Sequence, residues 1–407
     1  MGRSVDLVWL LSNLSLALDF SHRGLLRHHQ RVALLSLRLA EAARMTPDDK
    51  IALFKAAIIH DLGVVSWAEK NRLDTFDVQD PWPHCRRGYE LVGKVEILQE
   101  AAELILHHHD RWLGGNPSGK KGAEIPLGSR IIHLADRVSV LLTKEEWTEQ
   151  EILNHKDRII REIELQAGRL FDPELVCLLR EVARNESLWF DLTSPFLSDS
   201  LRLWAGGEFL LSPDQLRAVA ELFARVVDAK SPFTYLHSKR VAVVARFLAE
   251  YLGMKEGDLF LIELAGLLHD LGKLAVPDEV LEKAGPLSEA EFNLIKTHPY
   301  YTYWLLKPLD GQLPLVRWAA YHHEKLNGQG YPFRLTGAEL CLGARVMAVS
   351  DIFTALREDR PYRASLSWEK AMRIIADQAE QGLLDRRVVE ALRDSRRELE
   401  ELWLEVS

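Results

Sequence analysis

The sequence has few cysteines, no net positive charge and no long hydrophobic run, and each shortage excludes a class of protein. Its three cysteines, Cys85, Cys177 and Cys341, lie far apart, so we expect neither a disulfide framework nor a short zinc motif. This sparse usage favours a reducing compartment, and we expect a cytoplasmic protein. The net charge of −9 argues against a broad nucleic-acid-binding surface. The apolar stretch 5–20 is short and interrupted by polar residues, so we expect no signal peptide and no membrane partner.

Strand-like alternation of apolar and polar residues is also scarce. Apolar residues instead recur at helical spacing, as in 216–227, which Ser212 and Pro213 precede as a helix start. The stretch 258–271 is apolar nearly all round, which predicts a central helix. The chain of 407 residues, 47% hydrophobic, can form two or three domains. We therefore predict an all-α fold.

The sequence contains a repeated series of histidines and aspartates. The repeats lie 209, 209, 214, 214 and 215 positions apart, and such near-constant offsets indicate a duplicated domain. We predict one domain in 1–195 and its second copy in 196–407. The recurring pairs are His28 and His237, His60-Asp61 and His269-Asp270, His84 and His298, His108-His109 and His322-His323, and Asp136 and Asp351.

A histidine beside an aspartate at the end of an apolar helix, as in His269-Asp270, points to a metal site. A buried charge without a partner is costly, and a bound cation would compensate it. Imidazole with carboxylate suits Fe, Mn, Zn or Ni. The repeated residues exceed the needs of one ion, and paired ions are typical of phosphoester hydrolysis. A lone histidine is usually a satisfied core or surface residue, but recurrence in the same order in both halves favours metal binding.

The second half resembles an HD-GYP domain, a branch of the HD phosphohydrolase superfamily, over roughly 211–392. The residues that carry the resemblance are His237-Ser-Lys-Arg-Val-Ala, His269-Asp-Leu-Gly-Lys273, Val276-Pro-Asp, Thr297-His298, His322-His-Glu-Lys-Leu-Asn-Gly-Gln-Gly330-Tyr331-Pro332, Leu342-Gly-Ala-Arg345, Asp351 and Asp359-Arg-Pro-Tyr-Arg363.

The resemblance implies tandem helical domains with buried metal centres, and a phosphodiesterase that opens cyclic di-GMP to linear pGpG and, in some members, on to GMP. A hydroxide bridging two divalent ions, Fe or Mn before Zn or Ni, would attack the phosphorus. Trimetallic members carry a glutamate where Phe233 stands, so we expect two ions here. The implied ligands are His237, His269, Asp270 and Asp351 for one ion, with Asp270 bridging to a second ion on His298, His322 and His323.

The resemblance also implies how the substrate is held. Lys273 would neutralise charge on the phosphate, and Arg360 and Arg363 would bind the phosphates; the less favoured alternative for the two arginines is a solvated surface pair. The loop Gly330-Tyr331-Pro332 would form either a wall facing the cyclic dinucleotide or a docking surface for partners of the diguanylate-cyclase type.

The first half keeps the ligand positions but not the substrate residues, so it resembles a divergent HD domain with a metal of its own. Val64 replaces the lysine, and the Gly-Tyr-Pro loop and the arginine pair are missing. Such a domain can be structural or regulatory, hydrolyse another phosphorylated nucleotide, or still act on cyclic di-GMP. The ligand positions are His28, His60, Asp61, His84, His108, His109 and Asp136.

The sequence leaves two alternatives to cyclic di-GMP hydrolysis as the function of the whole chain. One is hydrolysis of another nucleotide, such as a mixed cyclic dinucleotide or a guanosine polyphosphate. The other is a non-catalytic scaffold that uses its HD domains for protein contacts. The intact ligand positions and Lys273 favour an enzyme over a scaffold.

Overall fold

A computed structural model describes residues 5–21, 24–144, 147, 151–207, 209–230, 236–309, 313–359 and 363–406. The all-α prediction is confirmed, because helices dominate these residues and the strands among them are only two residues long. The chain divides into two compact units, 1–216 and 217–407. No helix within the described ranges is both long enough and apolar enough to cross a bilayer.

The first unit is a set of helices with two short strand pairs. Strand β1 pairs antiparallel with β4, and β2 with β3. The strands are β1 (Val5–Asp6), β2 (Phe20–Ser21), β3 (Gly24–Leu25) and β4 (Leu210–Leu211). The helices are α1 (Leu7–Leu18), α2 (His28–Ala42), α3 (Pro47–Ile58), α4 (Trp67–Leu73), α5 (Trp82–Val92), α6 (Gln99–Leu106), α7 (Leu127–Lys144), α8 (Ile152–Glu164), α9 (Pro173–Val182), α10 (Glu186–Thr193) and α11 (Leu197–Ala205), with 3₁₀ turns at Glu96–Leu98 and Gly122–Glu124.

Helices also dominate the described residues of the second unit, and an isolated antiparallel bridge joins Asn327 and Thr336. Its helices are α12 (Pro213–Asp228), α13 (His237–Tyr251), α14 (Glu256–Leu268), α15 (Asp278–Leu281), α16 (Glu289–Ile295), α17 (Thr297–Leu306), α18 (Leu315–Ala320), α19 (Leu342–Arg357), α20 (Trp368–Glu380), α21 (Arg386–Asp394) and α22 (Arg396–Glu405), with 3₁₀ turns at Leu271–Ala275 and Lys307–Leu309.

Local capping chemistry explains where several helices begin. The Ser212 hydroxyl accepts from the Gln215 amide at 3.2 Å, and the Gln215 side chain accepts from the Ser212 amide at 2.9 Å. This reciprocal pair is the capped start that the sequence predicts for α12. Thr46 caps α3 in a similar position, with Pro47 in the first turn.

Helix α14 lies at the centre of the second unit, as its apolar composition predicts. It packs against α13, α18 and α19, while α17 packs against α18 and the 3₁₀ turn Leu271–Ala275. In the first unit, α2 packs against α3 and α7, and α3 packs against α6. Each unit therefore brings together helices that carry the recurring histidines and aspartates within them or at their ends.

The segment between the two copies is mostly structured. Helix α11 packs against α1, α2 and α10 of the first unit, and Trp189 of α10 is fully buried. The structure divides the chain after Leu216. The domain limits 1–195 and 196–407 stay a prediction.

Candidate metal centres

The predicted ligands of the second half converge from five helices, most of them from positions at or near helix ends. His237 begins α13, and His269-Asp270 follow the last residue of α14. His298 lies in the first turn of α17, whereas Asp351 lies within α19. His322 and His323 come after Tyr321, the residue that follows the end of α18. All of these side chains are fully or nearly buried except that of His323, which is 25% exposed.

Backbone carbonyls orient the imidazoles of this centre. The Nδ1 atoms of His269, His298 and His322 donate to the carbonyls of Gly266, Ile295 and Ala319, three residues earlier in each case, at 2.8, 2.6 and 2.6 Å. Because a carbonyl only accepts, each Nδ1 carries a proton, and each Nε2 faces the centre, where it offers a lone pair whenever it is not protonated. Metal-bound histidines are commonly oriented in this way.

Two of these lone pairs point at each other. The Nε2 atoms of His298 and His322 are only 3.2 Å apart. Burial lowers the pKa of His298 to about 3 and that of His322 to about 4, so both rings are neutral. Two acceptors cannot bond to each other, but a cation between them satisfies both. The donor atoms present therefore fit a metal ion.

The carboxylate of Asp270 lies between two groups of candidate ligands. Its Oδ2 is 3.2 Å from His269 Nε2 and 3.8 Å from that of His237, and its Oδ1 is 3.5 Å from His298 Nε2. Oδ1 is buried without a hydrogen-bond partner among the described residues. The two groups, each with ligand atoms within 4.8 Å of one another, are His237, His269 and Asp351, and His298, His322 and His323.

The charges around Asp270 keep its carboxylate ionised, as a metal ligand must be. Burial alone would raise its pKa, but His269 and Lys273 outweigh burial and hold the pKa well below its usual range. Burial would lower the pKa of His269, yet Asp270 and Asp351 raise it to about 10. The Nε2 of His269 thus requires a proton or a metal ion. Lys273 Nζ lies 2.5 Å from Asp270 Oδ2.

The loop Gly330-Tyr331-Pro332 lies beside this centre. The Tyr331 ring packs on that of His323 with centroids 4.8 Å apart. A Cβ on Gly330 would meet Glu324 Cα at 2.4 Å, so only glycine allows this approach. The buried carboxylate of Glu324 accepts from the amides of Phe333 and Leu335 at 2.8 and 2.9 Å, which fixes the loop against the ligand helices.

The predicted arginine pair is described only in part, since Arg360 lies outside the described residues, as does Phe233. The Arg363 guanidinium donates to the carbonyls of Ala355, Leu356 and Ala364 at 2.8, 3.1 and 3.2 Å. It therefore caps the end of α19, and its contact with a phosphate stays a prediction.

The first half repeats this geometry. His28 Nε2 is 3.3 Å from His60 Nε2, and His84 Nε2 is 3.3 Å from His108 Nε2. Asp61 again lies between the groups, with Oδ2 3.5 Å from His60 and Oδ1 3.1 Å from His84. The structure groups Asp61 with His84, His108 and His109, and His28 with His60 and Asp136.

The surroundings of the first centre differ from those of the second. Arg137, buried next to Asp136, donates from Nε and Nη2 to its Oδ2 at 3.0 and 2.6 Å, whereas Ile352 follows Asp351. Val64 stands where Lys273 contacts Asp270. Arg137 thus pairs with a carboxylate oxygen of Asp136, whereas the carboxylate of Asp351 in the second centre stays available to the histidines.

Sequence reasoning missed several residues around the centres. Glu358 accepts from His237 Nδ1 at 2.8 Å and from Arg240 at 3.1 Å, and it is buried. Cys85 Sγ lies 3.7 Å from His84 Nε2. His29, which follows the ligand position His28, is fully buried beside His60. A carboxylate directly before Asp359 does not reveal a partner 121 residues away, and the other half has no histidine at the position of His29.

Comparisons with known proteins agree with this duplicated arrangement. The HD domain family matches residues 14–175 and again 221–388. A 3′3′-cGAMP-specific phosphodiesterase 1 of Vibrio cholerae serotype O1 is 33% identical over 380 residues, which cover 90% of this chain and 86% of that protein. A cyclic di-GMP phosphodiesterase response regulator of Xanthomonas campestris is 38% identical over 46% of this chain and 50% of that protein.

A solved structure shares the fold over nearly the whole chain. It is a crystal structure of a cyclic GMP-AMP specific phosphodiesterase of V. cholerae, V-cGAP3. It covers 97% of this chain and 98% of its own, with 26% sequence identity and a TM-score of 0.70.

Proposed function

This chain belongs to the HD domain family, and we propose that it is a metal-dependent phosphodiesterase of cyclic dinucleotides with its catalytic centre in the second half. The observation that carries the proposal is the position of Asp270 between two groups of histidines, with Lys273 on one of its oxygens. The relatives that match both halves are themselves named as cyclic dinucleotide phosphodiesterases.

In the proposed site, His237, His269, Asp270 and Asp351 would hold one divalent ion, and Asp270 would also contribute to a second. Bound divalent ions activate water for attack on phosphorus and neutralise phosphoryl charge. His298, His322 and His323 would hold that second ion.

The surrounding residues would bind and orient the substrate. Lys273 is 25% exposed, so its ammonium group can reach a phosphate as well as Asp270. Tyr331, packed on His323, offers an aromatic wall for a base or ribose. Arg360 and Arg363 are candidates for binding the phosphates. The resulting reaction opens the ring to a linear dinucleotide, pGpG if cyclic di-GMP is the substrate, with GMP as a later product.

We propose that the first half is not catalytic. Arg137 neutralises Asp136, and Val64 replaces the lysine that lies on Asp270 in the second centre. The first half is then a structural or regulatory metal domain.

A mixed cyclic dinucleotide is the second candidate substrate. It is favoured by the relative that matches 90% of this chain, which is named as specific for 3′3′-cGAMP. Cyclic di-GMP is favoured by the HD-GYP motif residues around Lys273 and Gly330-Tyr331-Pro332.

The test is hydrolysis by the full-length protein loaded anaerobically with Fe(II) or Mn(II). We expect cleavage of cyclic di-GMP, 3′3′-cGAMP or both, and none of a guanosine polyphosphate, with the linear products resolved by chromatography. Cleavage of the polyphosphate alone would contradict the proposal. A protein that holds metal and cleaves none of the three would support the scaffold alternative.

A further inference from the structure

A buried carboxylate precedes the first ligand histidine in both halves. Asp19 and Asp228 lie 209 positions apart, the same offset as His28 and His237. In the second half, Asp228 accepts from the amide of Ser238 at 3.1 Å and from its hydroxyl at 2.8 Å.

In the first half, an imidazole replaces the serine hydroxyl on this carboxylate. Asp19 Oδ1 accepts from the amide of His29 at 3.2 Å and from its Nδ1 at 2.6 Å. The same scaffold thus holds a side chain that extends further towards the centre than Ser238 does.

The free end of this imidazole is aimed at the first centre. His29 is fully buried, and its Nε2 has no hydrogen-bond partner among the described residues. Its ring centroid lies 4.8 Å from that of His60 and 5.4 Å from that of His28. His29, His60 and Asp61 have ligand-capable atoms within 4.8 Å of one another.

An unsatisfied buried nitrogen is costly, and a carboxylate on the opposite nitrogen is the usual support of a metal-bound imidazole. We propose that His29 is an additional metal ligand of the first centre, one that Ser238 cannot supply in the second. The ion is a divalent first-row transition metal that accepts nitrogen donors. This inference concerns the first half alone and does not depend on the activity proposed for the second.

The test uses the full-length chain with Asp270→Ala and His298→Ala, which weaken the second centre, loaded with cobalt(II). A coordinated imidazole that keeps its N–H gives a strongly shifted exchangeable proton signal in the NMR spectrum. We expect His29→Ser, which installs the residue of the second copy, to remove one such signal. We also expect it to lower cobalt affinity at least about 10-fold. His155→Ser, a partly exposed histidine stacked on Trp147, is the control and should change neither.

A second variant covers the case in which His29→Ser does not fold. Asp19→Asn removes the orienting carboxylate but keeps the imidazole, and loss of such a support should weaken cobalt binding by about 10–100-fold. The proposal is overturned if a folded His29→Ser protein keeps every shifted signal and its cobalt affinity. It is also overturned if Asp19→Asn binds cobalt as tightly as its parent.

Discussion

At the scale of single residues, the Nδ1 atom of His237 has a different kind of hydrogen-bond acceptor from those of His269, His298 and His322. The Nδ1 atoms of His269, His298 and His322 donate to backbone carbonyls three residues earlier in the chain. His237 begins its helix, so no carbonyl lies three residues earlier in α13, and Glu358 provides the acceptor instead. A carboxylate partner fixes the tautomer and makes the other ring nitrogen a stronger donor to a metal.

We therefore expect Glu358→Gln to weaken metal binding at the second centre by about 10–100-fold while the chain stays folded. The measurement is competition with a calibrated chelator, with circular dichroism to check the fold. Glu369→Gln is the matched control, because Glu369 is exposed and pairs with Arg396 on the surface. Equal affinities in the two variants would show that Glu358 has no role in holding His237.

At the scale of elements, the turn after each His-Asp pair sets the spacing of the two ligand groups. A Cβ on Gly272 would lie 2.0 Å from the carbonyl oxygen of His298, and one on Gly63 would lie 2.1 Å from that of His84. In both halves the turn thus lies directly against the helix that carries the next histidine. Glycine is therefore required in the Leu-Gly that follows each His-Asp pair, because the neighbouring helix leaves no room for a Cβ.

We expect Gly272→Ala to lower the free energy of unfolding by about 1–3 kcal/mol, because the added methyl must push the turn away from α17. Metal content should fall with it. Gly257→Ala is the control: a Cβ there meets nothing within 4 Å, and alanine favours a helix by up to about 1 kcal/mol. Urea unfolding of the two variants tests this, and an unchanged stability in Gly272→Ala would contradict the packing described.

At the scale of the whole molecule, the sequence predicted the helices and the positions that converge, because apolar spacing and the duplication are both visible in it. It did not predict the strand pair β1–β4, since two residues carry no periodicity. The duplication did not reveal His29 either, because the second copy carries Ser238 at the equivalent position. The supporting role of Glu358 depends on a contact across 121 residues, which no local pattern reveals.

The duplication leaves two centres with similar ligands and unlike surroundings, and from this we infer that the halves divide their tasks. The second centre combines its ligands with Lys273 and the loop of Tyr331. The first has Arg137 on Asp136 and the added imidazole of His29. Catalysis in the second half and metal-dependent stability or regulation in the first is the arrangement that these contacts favour.

The most direct test compares Asp270→Ala with Asp61→Ala in the full-length chain, because the two aspartates hold equivalent positions. Metal content and turnover of cyclic di-GMP and 3′3′-cGAMP are measured for both. We expect Asp270→Ala to abolish turnover and Asp61→Ala to keep it, with the loss in the latter confined to metal content, stability or regulation. Turnover that survives in Asp270→Ala, or that disappears in Asp61→Ala while the second centre keeps its metal, would contradict catalysis in the second half.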